Sequence, residues 1–374
     1  MNLALSDEQE FLREAARGAL SRFKTVEAAR DALEGTPLPD LWTVAKDAGW
    51  PGLLVSEEHG GAGLGVFDAL LVAEETGRVL AAVPFLGVLP ATLILDAAGH
   101  GDVQAVASGE TRVAYVPARP PSATVDGWTV DPARGKARPA APAATVDGDT
   151  VTLSGTVAWV PDAPEADLLV VVGVTADGAP VAAAVPASAA QVDTVAGYDA
   201  TRALAHVTLD GAQGDLLDVD EEVLHRAWYL AHAILAAEAI GTIATTLDMS
   251  VQYAKERFTF GRAIGSYQSI KHELTEVLRT LENARSLQFY AGYAGESKQD
   301  EFALAASAFR SAAGTALDHA ARSNINVHGG IGATWEHDAP LYFRRAQLAR
   351  RLLGGTGDAT DRVADELLKS AAAA

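Results

Sequence analysis

From about residue 219 onward, apolar residues recur at helical spacing through four long segments, approximately 220–257, 266–297, 301–328 and 339–370. The connections between them are short. A helix that carries an apolar stripe must bury it, and consecutive long amphipathic helices bury theirs most simply against one another. Residues 219–374 are therefore predicted to form a four-helix bundle. This pattern constrains the fold more than any other feature of the chain. The tail Ala371–Ala374 is expected to fray.

Residues 1 to about 108 also read as helical. Ser6-Asp7-Glu8-Gln9 is a helix start, with a capping Ser and Gln9 at the third helical position. Apolar residues follow at helical spacing through Phe11, Leu12, Ala15, Ala16, Leu20 and Phe23. A second helix is expected around Leu41 to Ala48, ending at Gly49. The glycine-rich loop Glu57–Gly65 then leads into an apolar helix from Val66 to Leu80.

Between residues 109 and 218 the pattern changes. Short β-branched runs such as Thr150–Leu153, Leu168–Val172 and Ala205–Leu209 alternate with Gly, Pro and Asp. Such spacing suggests a small β-barrel or sandwich. The Pro- and Ala-rich stretch Pro117–Ala144 reads as loop. The fold class expected is mainly α with a central β domain (α+β), in the order 1–108 helical, 109–218 β, 219–374 bundle. No internal repeat is found.

The 374 residues suffice for two or three domains and a sizeable core. A formal net charge of -20 repels nucleic acid and anionic membrane surfaces, so neither is expected as a partner. The absence of cysteine removes disulfides, thiolate metal sites and cysteine nucleophiles, and no metal site is expected. The first residues show no basic stretch before an apolar core, so no signal peptide is expected. No uninterrupted apolar window reaches the length of a membrane span. A cytoplasmic location is the expectation.

Three motifs carry a resemblance. Trp50–Gly63 resembles the N-terminal loop of the acyl-CoA dehydrogenase family. Tyr253-Ala254-Lys255-Glu256-Arg257-Phe258-Thr259-Phe260-Gly261-Arg262, followed by Tyr267-Gln268, is similar to its Y-A-x-x-R-x-x-F-G signature. Asn326-Val327-His328-Gly329-Gly330-Ile331-Gly332 is similar to its Q-x-x-G-G-x-G loop. Each is moderately specific; in this order and spacing they are strong together, and they span nearly the whole chain.

The resemblance implies FAD as cofactor and an acyl-CoA thioester as substrate. In that family a carboxylate removes the α-hydrogen as a proton, the β-hydrogen leaves as hydride to the flavin, and hydrogen bonds stabilise the developing enolate. It further implies that each FAD lies between two subunits. One subunit's β domain cradles the isoalloxazine, and the neighbour's bundle holds the pyrophosphate and adenosine.

The bundle half of that site is present here. Arg257 matches the arginine that neutralises the pyrophosphate, and a guanidinium suits two adjacent phosphoryl groups. Phe260 and Gln268 match residues on the adenosine side. Gly329 and Gly330 match the glycines that let backbone approach FAD, and Asn326 stands where Gln is usual. The residues alone also allow a plainer reading, in which Arg257 pairs with a carboxylate and the Gly-Gly ends a helix.

The other half is depleted. Pro117–Ala123 does not match the family's Thr-Glu-Pro-x-x-Gly-Ser-Asp segment. Thr156–Ala163 keeps an aromatic, Trp159, but not the polar pair that usually follows it; Trp159 reads equally as a flavin contact or as core. The family's base is a Glu in a Tyr-Glu-Gly-Thr turn, and here that turn reads Leu353-Gly354-Gly355-Thr356. Gly354 cannot accept a proton. The alternative base position on the first bundle helix falls at Ala231. Nearby His232 and Glu238 are weak substitutes: a lone helix His is more often structural, and Glu238 reads also as a bundle hydrogen bond or subunit contact. Glu336-His337-Asp338 reads as solvated or interfacial.

Three functions are consistent with this pattern. The chain is expected to be a subunit of a heteromeric α2β2 acyl-CoA dehydrogenase, similar to those of bacterial steroid side-chain degradation, completing a paralogous partner's FAD site. Alternatively it is a self-sufficient homotetrameric enzyme with a displaced base, or a flavin-free protein on the same fold. The acyl group oxidised is not encoded in any of these motifs.

Overall fold

The protein is represented by a computed structural model that describes residues 4–117 and 141–373. Its N-terminal part holds α1 (Asp7–Leu20), α2 (Thr25–Ala32), α3 (Trp42–Asp47), α4 (Val66–Arg78), α5 (Phe85–Ala97) and α6 (Val103–Ala107). The start of α1 is the expected capping box. The Gln9 N–H donates to Ser6 Oγ at 3.2 Å, and the Ser6 N–H donates to Gln9 Oε1 at 3.1 Å. Two donors that no helical carbonyl can reach are thereby satisfied.

The β domain comprises β1 (Val113–Val116), β2 (Ala143–Asp147), β3 (Thr150–Pro161), β4 (Leu168–Thr175), β5 (Pro180–Pro186), β6 (Gln191–Val195) and β7 (Leu204–Leu217). Strand order β4-β2-β3-β7-β5 closes on itself because β5 also pairs with β4, so the sheet is a small barrel. Closure removes exposed sheet edges. Strand β1 pairs with β4, and β6 with β7. Alternation divides the side chains of β4: Leu169 and Val171 fill the barrel, while Leu168, Val170 and Val172 join the helical core. The continuous apolar run of this strand is explained by burial on both faces. Of the stretch expected to be loop, Ala143 and Ala144 belong to β2; residues 118–140 lie outside the described residues.

The bundle is built from α7 (Glu221–Glu256), α8 (Gln268–Ser297), α9 (Phe302–His328), α10 (Ala339–Ala349) and α11 (Gly355–Ala373), with a small hairpin, β8 (Phe258–Thr259) and β9 (Arg262–Ala263), after α7. The expected mainly α fold with a central barrel and a helical bundle is thus the observed one. One element differs. The segment expected as a single helix over 339–370 breaks into α10 and α11. Leu353, Gly354 and Gly355 all have positive φ, which an α-helix cannot accommodate.

Helix α7 is long and apolar enough to cross a membrane, but it is buried inside the protein and is its central core helix. It crosses α4 at very close range. A Cβ on Gly77 would lie 2.0 Å from the Glu238 carbonyl oxygen, and one on Gly241 would lie 1.9 Å from that of Glu74. Only glycine at both positions allows this crossing, which joins the N-terminal helices to the bundle.

The barrel is joined to the bundle by charge. Arg345 of α10 donates to Asp199 Oδ2 at 2.6 Å, and Arg202 pairs with Glu238 of α7, all four side chains being almost fully buried. Buried charges at this depth require partners.

Candidate functional site

The Tyr253–Arg262 motif, expected to hold the cofactor, lies at the end of α7. Arg257 is its C-cap, already in extended conformation, and the Ile264 N–H donates to the Arg257 carbonyl at 2.7 Å. The β8–β9 hairpin turns through Phe260 and Gly261, both with positive φ. That is the backbone of a two-residue hairpin turn, for which Gly at the second position is suited. The turn leaves Phe260 95% exposed and Phe258 63% exposed. Bare aromatics at a hairpin tip mark a surface that expects company. The Arg257 guanidinium is exposed and makes no ion pair among the described residues, so the plainer reading of a carboxylate partner finds no support.

Gln268 opens α8, is exposed, and lies 3.3 Å from His272 Nε2. Asn326 is exposed in the last turn of α9, and Gly329 caps that helix with φ 63°. Gly329 is therefore required by the turn itself. Gly330 is not, since its φ is not positive. A Cβ on either glycine would meet nothing within 4 Å, so both face open space.

These residues share one end of the bundle. The ends of α7 and α9 are tied there by ring contact between Tyr253 and His328, with centroids 4.4 Å apart. The donor set comprises an uncommitted guanidinium, open glycine backbone and an exposed aromatic. It fits the pyrophosphate end of a dinucleotide.

The second cluster surrounds the turn between α10 and α11. Gly354 has φ 80°, and a Cβ there would lie 2.4 Å from Asp358 Oδ2. The space a side chain would enter already holds a carboxylate, delivered from the first turn of α11. Sequence reasoning missed Asp358 because the family motif directs attention to position 354 alone. The turn is held from below by Arg310, whose fully buried guanidinium donates to the Ala349 carbonyl and, at 3.4 Å, to that of Leu352. Burial pulls the Arg310 pKa down to about 10.

Of the weak base candidates, Glu238 is placed in the ion cluster. Besides its Arg202 partner it lies 4.0 Å from Arg345 Nη1. Its carboxylate is committed to two guanidinium groups. His232 is buried between aromatics, with ring centroids 4.9 Å from Trp228 and 6.1 Å from Tyr229. Glu238 thus serves the ion cluster, and His232 packs among rings.

On the barrel side, Trp159 is not core. It sits at an irregularity in β3 with φ 60° and is 37% exposed; its backbone N–H donates to His206 Nδ1 at 3.3 Å. A bulky residue held in the left-handed region at a bulge indicates a side chain aimed on purpose. Three residues on, Asp162 accepts from the Gly87 N–H at 2.8 Å, capping the start of α5 from another domain. Burial pushes its pKa up to about 6, against the opposing charge of Arg202. The mismatched segment after Pro117 lies outside the described residues.

Of Glu336-His337-Asp338, expected to be solvated or interfacial, Glu336 is exposed, while His337 and Asp338 are part-buried and make internal contacts. His337 stacks on His328 with centroids 4.1 Å apart, and Asp338 pairs with Arg30 of α2.

Comparison with known proteins identifies the family. Residues 6–104 match the family model of the acyl-CoA dehydrogenase N-terminal domain, and residues 227–368 that of the C-terminal domain. The chain is 32% identical to the acyl-CoA dehydrogenase IpdE2 of Mycobacterium tuberculosis (strain ATCC 25618 / H37Rv), over 97% of this chain and 98% of the relative. It is 30% identical to IpdE2 of Mycolicibacterium smegmatis (strain ATCC 700084 / mc(2)155), over 94% and 96% respectively. Among solved structures it is similar to a variant of the Tcur3481-Tcur3483 steroid ACAD, with a TM-score of 0.85 and 27% identity, covering 98% of this chain and 99% of that one.

Proposed function

The chain belongs to the acyl-CoA dehydrogenase family of FAD-dependent enzymes, and we propose that it works as one subunit of a heteromeric complex in which its bundle completes a partner's FAD site. The observation that carries this reading is a contrast. The end of the bundle with Arg257, Phe260 and Gly329–Gly330 is open and uncommitted, while the turn that should bring a base carries Gly354 at φ 80°, with the Asp358 carboxylate where a side chain would enter. A homomeric enzyme needs both halves in each chain; a heteromeric one does not. The similar structure named for two components, Tcur3481-Tcur3483, supports a paired assembly, and its description as a steroid ACAD makes steroid-derived acyl-CoA thioesters the first substrates to test.

In this reading Arg257 neutralises the pyrophosphate, and Gly330 lets the backbone approach it. Phe260, Gln268 and Asn326 contact the adenosine side. When bound, FAD accepts the substrate's β-hydrogen as hydride. The α-proton passes to a carboxylate of the paralogous partner, which also cradles the flavin ring. We place the complex in the cytoplasm. Co-expression with the paralogue should give a yellow complex, and Arg257→Ala should weaken its hold on FAD without dissociating the subunits. A chain that purifies alone with stoichiometric FAD and oxidises an acyl-CoA would sink the proposal.

One observation favours a second reading, a self-sufficient enzyme with a displaced base. The Asp358 carboxylate lies where a side chain at position 354 would project. If Asp358 accepts the α-proton, Asp358→Asn should lower turnover about 10²- to 10⁴-fold with FAD retained. Unchanged turnover rejects it and leaves the partner as the source of the base.

A further inference from the structure

Three aromatic rings stand in a row behind the cofactor half-site. Tyr253, one turn before Arg257, packs on His328 at 4.4 Å, and His328 packs on His337 at 4.1 Å. The row joins two pieces of the half-site that are distant in sequence. The Arg257 N–H donates to the Tyr253 carbonyl at 2.8 Å, so the hairpin follows Tyr253; Gly329 follows His328 directly.

The two histidines are held in different ways. His328 Nδ1 lies 2.7 Å from the Asn324 carbonyl, which only accepts, so this nitrogen carries a proton and donates. His337 Nδ1 lies 3.0 Å from the Ala339 N–H, which only donates, so this nitrogen must be bare. Ala339 is the first residue of α10 and is fully buried. His328 can keep its bond when charged. His337 cannot: a second proton would set N–H against N–H and place a cation on the His328 ring. The titratable and charged groups around His337 are His328 from α9, Arg30 from α2 and its neighbour Asp338. Burial first, then His328, lowers its pKa from the ordinary value, and Asp338 only partly offsets this.

We infer that the Tyr253–His328–His337 stack is the positioning element of the half-site, holding the Arg257 hairpin against the Gly329–Gly330 turn while His337 is neutral and releasing it when His337 is protonated. Retention of the cofactor therefore weakens in acid. This rests on the half-site reading proposed above. The sign follows from linkage. A histidine whose folded-state pKa is depressed contributes stability that is complete above about pH 6.5 and lost as pH falls below it.

The test uses the FAD-loaded complex and follows the fluorescence of released flavin from about pH 8 to about pH 5.5, the range in which histidine titrates. Wild type should bind FAD several-fold more weakly at the acid end than at pH 8. His337→Phe keeps a ring in the stack but cannot titrate, and its affinity should be flat across the range. His337→Ala should be weak throughout. A flat wild-type curve, or a His337→Phe curve that follows wild type, overturns the inference. If the complex binds no FAD even at pH 8, the half-site reading fails instead. The stack is then decided by NMR of the full chain: the Gly329 and Gly330 amide signals should shift with the midpoint of the His337 imidazole. Independent behaviour of the two overturns the inference as well.

Discussion

Replacing Glu238 with Gln separates a structural carboxylate from a catalytic one. Glu238 is 3% exposed at its side chain, and Arg202 is 2% exposed. Arg345, also 2% exposed, approaches the same carboxylate at 4.0 Å while bonding Asp199 at 2.6 Å. Burial, joined by the nearby Arg345 charge, pulls the Arg202 pKa down to about 9, while Asp162 and Asp199 oppose the fall, so this guanidinium leans on the carboxylates that face it. Glu238→Gln removes one charge from Arg202 and Arg345 but keeps shape and one hydrogen bond. Breaking a buried pair by neutralising one partner costs about 3–5 kcal/mol, because the other charge stays buried without compensation. At about 2–4 °C per kcal/mol for a large domain, the melting temperature should fall by roughly 6–20 °C. Calorimetry of the purified chain reads this directly. Replacing both partners, as in Arg202→Met with Glu238→Leu, should recover much of the loss, since apolar residues fill the same space without desolvation. If Glu238→Gln melts with wild type and its complex loses turnover, Glu238 is a base and the structural argument is wrong.

Other outcomes follow from the same geometry. Gly241→Ala puts a methyl group 1.9 Å from the Glu74 carbonyl oxygen, so α4 and α7 must separate; the urea midpoint should fall by the equivalent of about 1–3 kcal/mol, despite the better helix propensity of Ala. If Arg257 holds the pyrophosphate as proposed, Arg257→Ala removes charge-assisted bonds worth about 1.5–3 kcal/mol, and FAD should bind roughly 10- to 150-fold more weakly with the melting temperature of FAD-free protein unchanged. Asp162, raised to about 6, favours the folded state below the ordinary carboxylate range and loses that contribution as pH rises through 6. Asp162→Asn should therefore stabilise the protein at pH 8, on the order of 2 kcal/mol, with the gain vanishing toward pH 4 in pH-dependent thermal melts.

What the sequence determined by itself was periodic or local. Apolar spacing gave the bundle helices, Ser6 with Gln9 gave the start of α1, and the β-branched runs gave the strands of the barrel. Each depends on residues within a turn or two of one another, so a single chain displays them. The motifs around Arg257 and Gly329 were legible for the same reason. Their openness was not, because exposure depends on everything that packs nearby.

The tertiary structure decided the rest. Closure of the barrel needed β4 to meet β5 and β2 at once. The commitment of Glu238 became visible only when Arg202 and Arg345 arrived from a loop and another helix. His337, which read as solvated or interfacial, became the end of a stack when the turn after α9 folded back towards Tyr253. The break at Gly354 showed how local and distant information divide. Sequence revealed that a carboxylate was missing from the turn, but only the helix beginning one residue later could show that Asp358 had filled the space. A side chain's chemistry is written at its own position; its partners, burial and charge state are set by residues that meet it only in the folded protein.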